Sequence, residues 1–292
     1  MPIQDAQEIL AGIDLPPAQR AHDAPGDIAP LSVAIVCKNN EATIGRTLES
    51  VRGLAAEIVA VDSGSTDRTL DLLEAAGARI IRTDWRGYIG TKRLALAACT
   101  GDWVLGLDSD ESLEPALRDA IHDVLRENRS EIVGVKMNRK VFYMGRFLEH
   151  AWQPEWRLRL VRRERAEYGG REPHDAMLVT PGPGRKITIA GDMRHDSFET
   201  IAKHLSTQAG HARDGAMAMF SEGKRGSYLR LMFSPPWAMV RQLVLKCAWR
   251  DGWRGWMAAA STAAGTLMKH TVLIELTRTE HRDRDAGDTG GV

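Results

Sequence analysis

Two hydrophobic rhythms alternate along the first third of the chain. Short apolar runs occupy positions 32–37, 57–61, 79–82 and 103–107, the first of them rich in β-branched residues. Each is short enough for a strand, and the near-continuous apolar character of the first, second and fourth predicts burial on both faces of a sheet. Between them the spacing lengthens to helical periods. Ile44, Leu48, Val51 and Leu54 recur every three or four residues and define one apolar face. Leu70, Leu72 and Leu73 mark a second helix that Gly77 is placed to end. Residues 91–98 read as a third. Strands alternating with helices of this length predict a parallel sheet joined by crossover connections.

The polar residues that stop these strands carry the candidate chemistry. The fourth run, Trp103-Val104-Leu105-Gly106-Leu107, ends in Asp108-Ser109-Asp110-Glu111, three carboxylates within four residues. The carboxyl ends of strands in an open α/β sheet are where ligands bind. Two carboxylates one residue apart in a dry site call for a cation, and hard oxygen donors suit Mg²⁺ or Mn²⁺. The competing reading is a solvated acidic turn. The second run stops at Asp62-Ser63-Gly64-Ser65-Thr66-Asp67. Asp62 there can accept the imide N–H of a uracil ring or cap the helix expected to begin near Ser65. Asp67 is ambiguous in the same way, because an acid is favourable in any first helical turn.

The order of these motifs resembles the family 2 glycosyltransferases. It runs from Val-x-Ile-Val-x-Lys-Asn through Val-Asp-Ser-Gly-Ser-Thr-Asp-Arg-Thr to Gly-Asp-Trp-Val-Leu-x-Leu-Asp-x-Asp-Glu. Within the family it is similar to the branch containing lipopolysaccharide core β-glucosyltransferases. Gly145-Arg146-Phe147-Leu148-Glu149-His150, Pro154-Glu155-x-Arg157-Leu158-Arg159-Leu160, Pro173-His174-Asp175, His195 and Gly252-Trp253-x-Gly255 follow in the order of that branch. The resemblance covers roughly residues 31–275. It implies a GT-A fold, a Rossmann-like, mostly parallel sheet with flanking helices that binds a nucleotide-diphosphate sugar.

The resemblance further implies an inverting, metal-dependent transfer of a sugar, glucose in the first instance, from a UDP-sugar to a lipopolysaccharide core or other lipid-linked glycan. It places Asp62 at the base, Asp108 near the ribose and Asp110 on the metal, with His195 a further candidate ligand. An inverting transfer needs a base for the acceptor hydroxyl. Asp175 and Glu155 are the candidates, and the branch commonly has Glu where this chain has Asp175. His174 is placed to position the acceptor or the diphosphate. Lys92 and Arg93 stand to add positive charge near the diphosphate or form a solvated basic helix face, and Arg93 replaces the Asn usual in the branch. Arg159, between Leu158 and Leu160, can meet phosphate bidentately or make a structural ion pair. Glu111 orients the acidic pair or is exposed.

Three rival activities stand beside this one. A polyprenyl-phosphate glycosyltransferase would need less base catalysis, since its acceptor is already ionised. A catalytically inactive nucleotide-sugar-binding scaffold would have little use for a metal pair. A nucleotidyltransferase would need a Gly-rich basic loop, which Lys38-Asn39-Asn40-Glu41 is not.

Composition adds the remaining bounds. Lys and Arg number 39 and so do Asp and Glu, so the formal charge is zero and no nucleic-acid partner is indicated. Three widely separated cysteines, Cys37, Cys99 and Cys247, suit reduced thiols in a cytoplasmic protein. Residues 1–30 hold five acids, five prolines and no apolar core of a signal peptide, and read as a flexible extension. Residues 31–200 form the expected catalytic domain and 201–278 a helical module. Residues 279–292 are charged and Gly-rich and read as a disordered tail.

The helical module carries 11 Lys and Arg against 4 Asp and Glu, an excess of 7. It contains no span of 18 uncharged apolar residues. Pro235-Pro236 is expected to break its first long helix, with further helices over 238–250 and 255–277. Trp249, Trp253 and Trp256, with Arg250 and Arg254 between them, suit attachment to an anionic membrane surface if one helix carries all three. Gly252 and Gly255 argue for a turn instead, and packing of the indoles against the catalytic domain is the alternative. Such attachment, with the lipid-linked acceptor that the resemblance implies, would put a cytoplasmic protein on the inner face of the cytoplasmic membrane.

Overall fold

The computed structural model describes residues 9–11, 13, 16–17, 26–171, 174–198 and 200–288, with the side chains of Arg171, His174, Lys203 and 283–288 outside that description. Four parallel strands form the first half of the main sheet. They are β1 (Leu31–Cys37), β2 (Glu57–Asp62), β3 (Arg79–Arg82) and β4 (Trp103–Asp108), in the spatial order β3-β2-β1-β4. The helices between them are α1 (Ile44–Val51), α2 (Thr69–Ala75) and α3 (Gly87–Ala98). Beyond β4 the sheet turns antiparallel through β8 (Trp156–Arg162) and continues with β6 (Ile132–Tyr143). It ends in β11 (Arg185–Phe198) and β5 (Glu111–Leu113). α4 (Pro115–Glu127) follows β5, β7 (Arg146–Phe147) pairs with β6, and β9 (Ala166–Arg171) pairs with β10 (His174–Val179) as a separate hairpin. This is the α/β class expected from the sequence.

Alternation along the buried strands splits their side chains between two cores, as a period of two requires. Leu31, Val33, Ile35, Trp103, Leu105 and Leu107 point to one core, which α1, α2 and α4 cover with Ile44, Leu48, Leu73, Leu117 and Ile121. Ala34, Val59, Val61 and Val104 point to the other, with Leu94 and Ala95 of α3 and Tyr168 and Met177 of the hairpin. The helix after β2 begins at Thr69 rather than near Ser65. Ile9, Leu10 and Ile13 pack against the second core, and Ile28 and Ala29 are buried in the first, so these parts of the N-terminal stretch are docked rather than loose.

The chain divides into two compact units, Met1–Lys140 with Glu155–Asp196, and Val141–Pro154 with Ser197–Val292. Residues 141–154, which the sequence assigned to the catalytic domain, thus belong to the second unit. The second unit consists mainly of α5 (Ile201–Ser221), α6 (Tyr228–Val240) and α7 (Trp253–Asp288). Its small core gathers Tyr143, Leu148, Ala151, Ala248 and Ala258 with Trp152 and Phe198. Tyr143 Oη lies 2.9 Å from His204 Nδ1. The Asp251 carboxylate accepts from the backbone N–H groups of Glu149, His150 and Ala151 at 3.0, 3.0 and 2.8 Å.

Three expectations for this region are corrected. α6 runs through Pro235 and Pro236 and continues as a π-helical turn, Arg241–Leu245. Proline's fixed φ is itself helical; what is lost is two N–H donors, which leaves the carbonyls of Leu231 and Met232 without helical partners. Burial of Pro235 and Ala238 along the inner side of α6, which packs on α7, offsets that loss. The three tryptophans do not share one helix, because Cys247 and Gly252 take positive φ values of 54° and 64° around the short turn Ala248–Asp251. Nor do the indoles pack inward, since all three are exposed. Finally, α7 continues to Asp288, beyond the point where the tail was expected to lose structure.

Candidate active site

The acidic segment sits where the pattern put it, at the carboxyl end of β4, with Glu111 fully buried and Asp108 partly exposed against buried cations. Lys92, on the inner face of α3, is buried and places its Nζ 2.6 Å from Asp108 Oδ1 and 2.8 Å from Asp175 Oδ2. Arg159 of β8 donates through Nη2 to Asp108 Oδ2 at 2.9 Å and also to Glu111. Glu111 is fully buried, and its other oxygen accepts from the backbone N–H of Asp108 at 3.0 Å. Arg139 of β6 reaches Glu111 at 3.3 Å. Three cations thus meet three carboxylates, and the cluster is neutral in sum.

Pairing overcomes burial here. Burial opposes the charge on Asp108, yet Arg159 and then Lys92 hold its carboxyl far below the usual range. Burial likewise opposes the Lys92 ammonium, and Asp108 holds it well above the ordinary lysine value. The solvated-face reading of Lys92 is therefore overturned. Arg159 keeps one N–H, at Nε, buried without an acceptor. Tyr168 of β9 lies beside the cluster, its ring 5.9 Å from the Lys92 ammonium, and burial pushes its phenol up to about 12. Gly106 makes room for it: a Cβ there would come within 2.1 Å of the Tyr168 hydroxyl.

Asp110 points elsewhere. Its Oδ2 lies 3.4 Å from His195 Nε2, and its backbone carbonyl accepts from the N–H of Asp196 at 2.9 Å. His195 is in register with Glu111 across β11 and β5. Among the described residues no three His, Cys, Asp or Glu side chains cluster closely enough to hold a metal alone. Asp108 is taken up by its cations, so the expected Asp108–Asp110 pair is not assembled as a metal site. Asp110 and His195 still fit Mg²⁺ or Mn²⁺, because such ions take one or two protein donors and complete their shell from water and substrate phosphate.

Glu155 is a poor fit to the role of base. Arg139 grips both its oxygens at 2.9 and 2.7 Å, and Arg157 adds a further contact. Burial pushes its carboxyl up, but Arg139 and Arg157 pull it down to about 2, too weak to take a hydroxyl proton. Asp175 lies on β10, and its side chain is only 11% exposed beside Lys92. The backbone of His174 pairs with Arg171, but its side chain falls outside the described residues. Arg93 turns to the hairpin instead, donating to the Tyr168 carbonyl at 2.8 Å with Glu167 at 3.6 Å.

The two loops after β1 and β2 are laced together. Asp62 is buried and accepts from the N–H groups of Gly64 and Ser65, both at 2.9 Å, and from the Ser65 hydroxyl. These bonds are the turn role that the sequence offered for Asp62. Asp67 accepts from Thr69 at 3.0 Å and from Glu41 at 3.1 Å across the gap between loops. Asn39, held at a φ of 54°, accepts from Thr66 N–H at 2.8 Å, and Asn40 N–H donates to Thr69 at 2.7 Å. The result is a hydrogen-bonded rim at the carboxyl ends of β1 and β2. Arg139 and Tyr168 escaped the sequence reading, for they lie far along the chain and carry no motif of their own.

Comparison with known proteins bears on the family. The family model described as glycosyl transferase family 2 matches residues 32–178. The chain is 32% identical over 245 residues to the lipopolysaccharide core biosynthesis glycosyltransferase LpsC of Rhizobium meliloti, covering 80% of this chain and 88% of that one. It is 26% identical to an uncharacterized glycosyltransferase of Rickettsia typhi, over 84% and 87% of the two chains. Among solved structures it is similar to glucosyl-3-phosphoglycerate synthase from Mycobacterium tuberculosis, at 20% identity, 78% and 86% coverage and a TM-score of 0.43. With the family model spanning half its length and a relative of this identity spanning most of it, the chain belongs to glycosyl transferase family 2.

Proposed function

We propose that this transferase moves a hexose, glucose in the first instance, from a UDP-sugar to a lipopolysaccharide core or other lipid-linked glycan, with inversion. The observation that carries the reading is the pairing of buried Lys92 and Arg159 with Asp108, beside Asp110 and His195. Transfer leaves charge on a departing diphosphate, and preorganised cations in a water-poor site stabilise it without reorganisation. Lys92 and Arg159 are such cations, and the unsatisfied Nε–H of Arg159 is a donor ready for a phosphate oxygen. Asp110 and His195 would hold Mg²⁺ or Mn²⁺, which supplies further neutralisation of the diphosphate when bound.

Asp175 serves as base for the acceptor hydroxyl, held in place by Lys92. Glu155, locked by two arginines, acts as scaffold. The acceptor class rests on the likeness to LpsC, whose name assigns it to lipopolysaccharide core biosynthesis. A lipid-linked acceptor goes with a protein at the membrane surface; no helix among the described residues is long and apolar enough to cross a membrane.

The test is thermal shift with UDP, GDP and CDP, each with and without Mn²⁺. Ligand that binds only the native state raises its stability by mass action. A metal-dependent shift with UDP alone is the expected result, followed by transfer from UDP-glucose to a core-glycan acceptor. No shift with any nucleotide, from folded protein, would replace this reading with the scaffold.

A further inference from the structure

Between Tyr228 and Trp256 the second unit turns an apolar face outward. Leu229, Met232, Phe233, Trp237 and Val240 are all exposed, with Phe233 at 64% and Trp237 at 59%. Their spacing of three and four places them on one side of α6. Val244 and Leu245 of the π turn, and Trp249, Trp253 and Trp256 after it in the chain, are exposed as well. The opposite side of α6 holds buried Pro235 and Ala238, so the exposure follows the helix period and is not scattered.

Its charges have one sign. Arg230, Arg241, Lys246 and Arg250 are exposed within this stretch, and no acid is. The single acid, Asp251, spends its carboxylate on three backbone N–H groups. Arg254 lies over the Trp253 ring at 4.7 Å. Large aromatic and aliphatic side chains flanked by cations suit the headgroup and upper acyl region of an anionic bilayer. A protein partner would also tolerate the apolar residues, but the lack of any exposed acid favours a uniformly negative surface.

We propose that the outward face of α6, with the π turn and the three tryptophans after it, is a docking surface for an anionic lipid bilayer. The helix lies along the interface rather than across it. The inference rests on the lipid-linked acceptor proposed above and gives that reading a physical site.

The test uses the full chain with vesicles of phosphatidylglycerol and phosphatidylcholine, compared with phosphatidylcholine alone. Sedimentation with the anionic vesicles, and quenching of tryptophan fluorescence by brominated lipid, are the expected results. Phe233→Ser combined with Trp237→Ser should weaken vesicle binding by roughly tenfold or more. Circular dichroism and the UDP–Mn²⁺ thermal shift of the variant should match the wild type. Absence of vesicle binding by wild type that keeps its UDP shift would overturn the docking surface and leave the sugar-transfer reading standing. Vesicle binding without any nucleotide shift would support the surface and sink the transferase reading. A wild-type dimer by light scattering that the double variant renders monomeric would overturn the proposal in favour of self-association.

Discussion

The end of β4 and the outer side of α6 break the same rule in opposite directions. At the first, charges sit inside; at the second, large apolar side chains sit outside. The first departure is stabilised within the molecule, since every carboxylate of the cluster meets a cation. The second has no such internal compensation. Buried charge that is fully paired points to chemistry performed there, because well-packed apolar residues would serve stability as well or better. Exposed apolar surface with cations at its edges points outward, to something that covers it.

Removing one member of the buried cluster gives the largest expected effect. Lys92→Met leaves Asp108 and Asp175 without their shared ammonium and should cost about 3 kcal/mol in denaturant unfolding. Transfer should fall by about a thousandfold in the same variant. Unchanged stability would mean that the cluster is better hydrated than its burial indicates.

Asp110→Ala separates function from fold. Turnover should drop by about a thousandfold while the melting temperature stays near wild type, because Asp110 is partly exposed and outside the cation cluster. Near-normal activity in excess Mg²⁺ or Mn²⁺ would remove Asp110 from the metal. Asp175→Asn tests the base: kcat should fall by roughly 10²–10⁴ with KM for the sugar nucleotide little changed. Activity that survives this change would favour a polyprenyl-phosphate acceptor.

Glu155 offers a pH test of the scaffold role. Its folded carboxyl titrates near 2, below its ordinary 4.5, so its contribution is present above the ordinary value and is lost as pH falls from there towards 2. That contribution is roughly 2 kcal/mol after allowance for partial exposure. Acid unfolding of Glu155→Gln should lack this component between those pH values. The smallest effect belongs to the other region. Phe233→Ser with Trp237→Ser should shift unfolding by under about 1 kcal/mol, since neither side chain is buried. A large loss would show that the face is structural, and the contrast between the two regions would collapse.

Much of this was legible in the chain. The runs at 32–37, 57–61 and 103–107 are apolar on both faces, and only a sheet covered on both sides accommodates them. The acids after Leu107 then fall at its edge by geometry. The pairing of those acids was not legible, because Lys92, Arg139, Arg159 and Asp175 arrive from four elements separated by up to 83 residues. Asp62 read as a ligand-facing acid or a turn acid, and local sequence could not say that the loop itself would donate to it through Gly64 and Ser65. Pro235-Pro236 read as a break because local rules count lost N–H donors and not the burial that compensates them.

By itself, then, the sequence determined the order of strands and helices, the place of the acidic turn and the family, because period, turn chemistry and motif order are local properties. The tertiary structure alone decided which charges neutralise one another and which side of α6 faces out. Those are properties of neighbours distant in the chain, and Coulombic pairing and burial act through space.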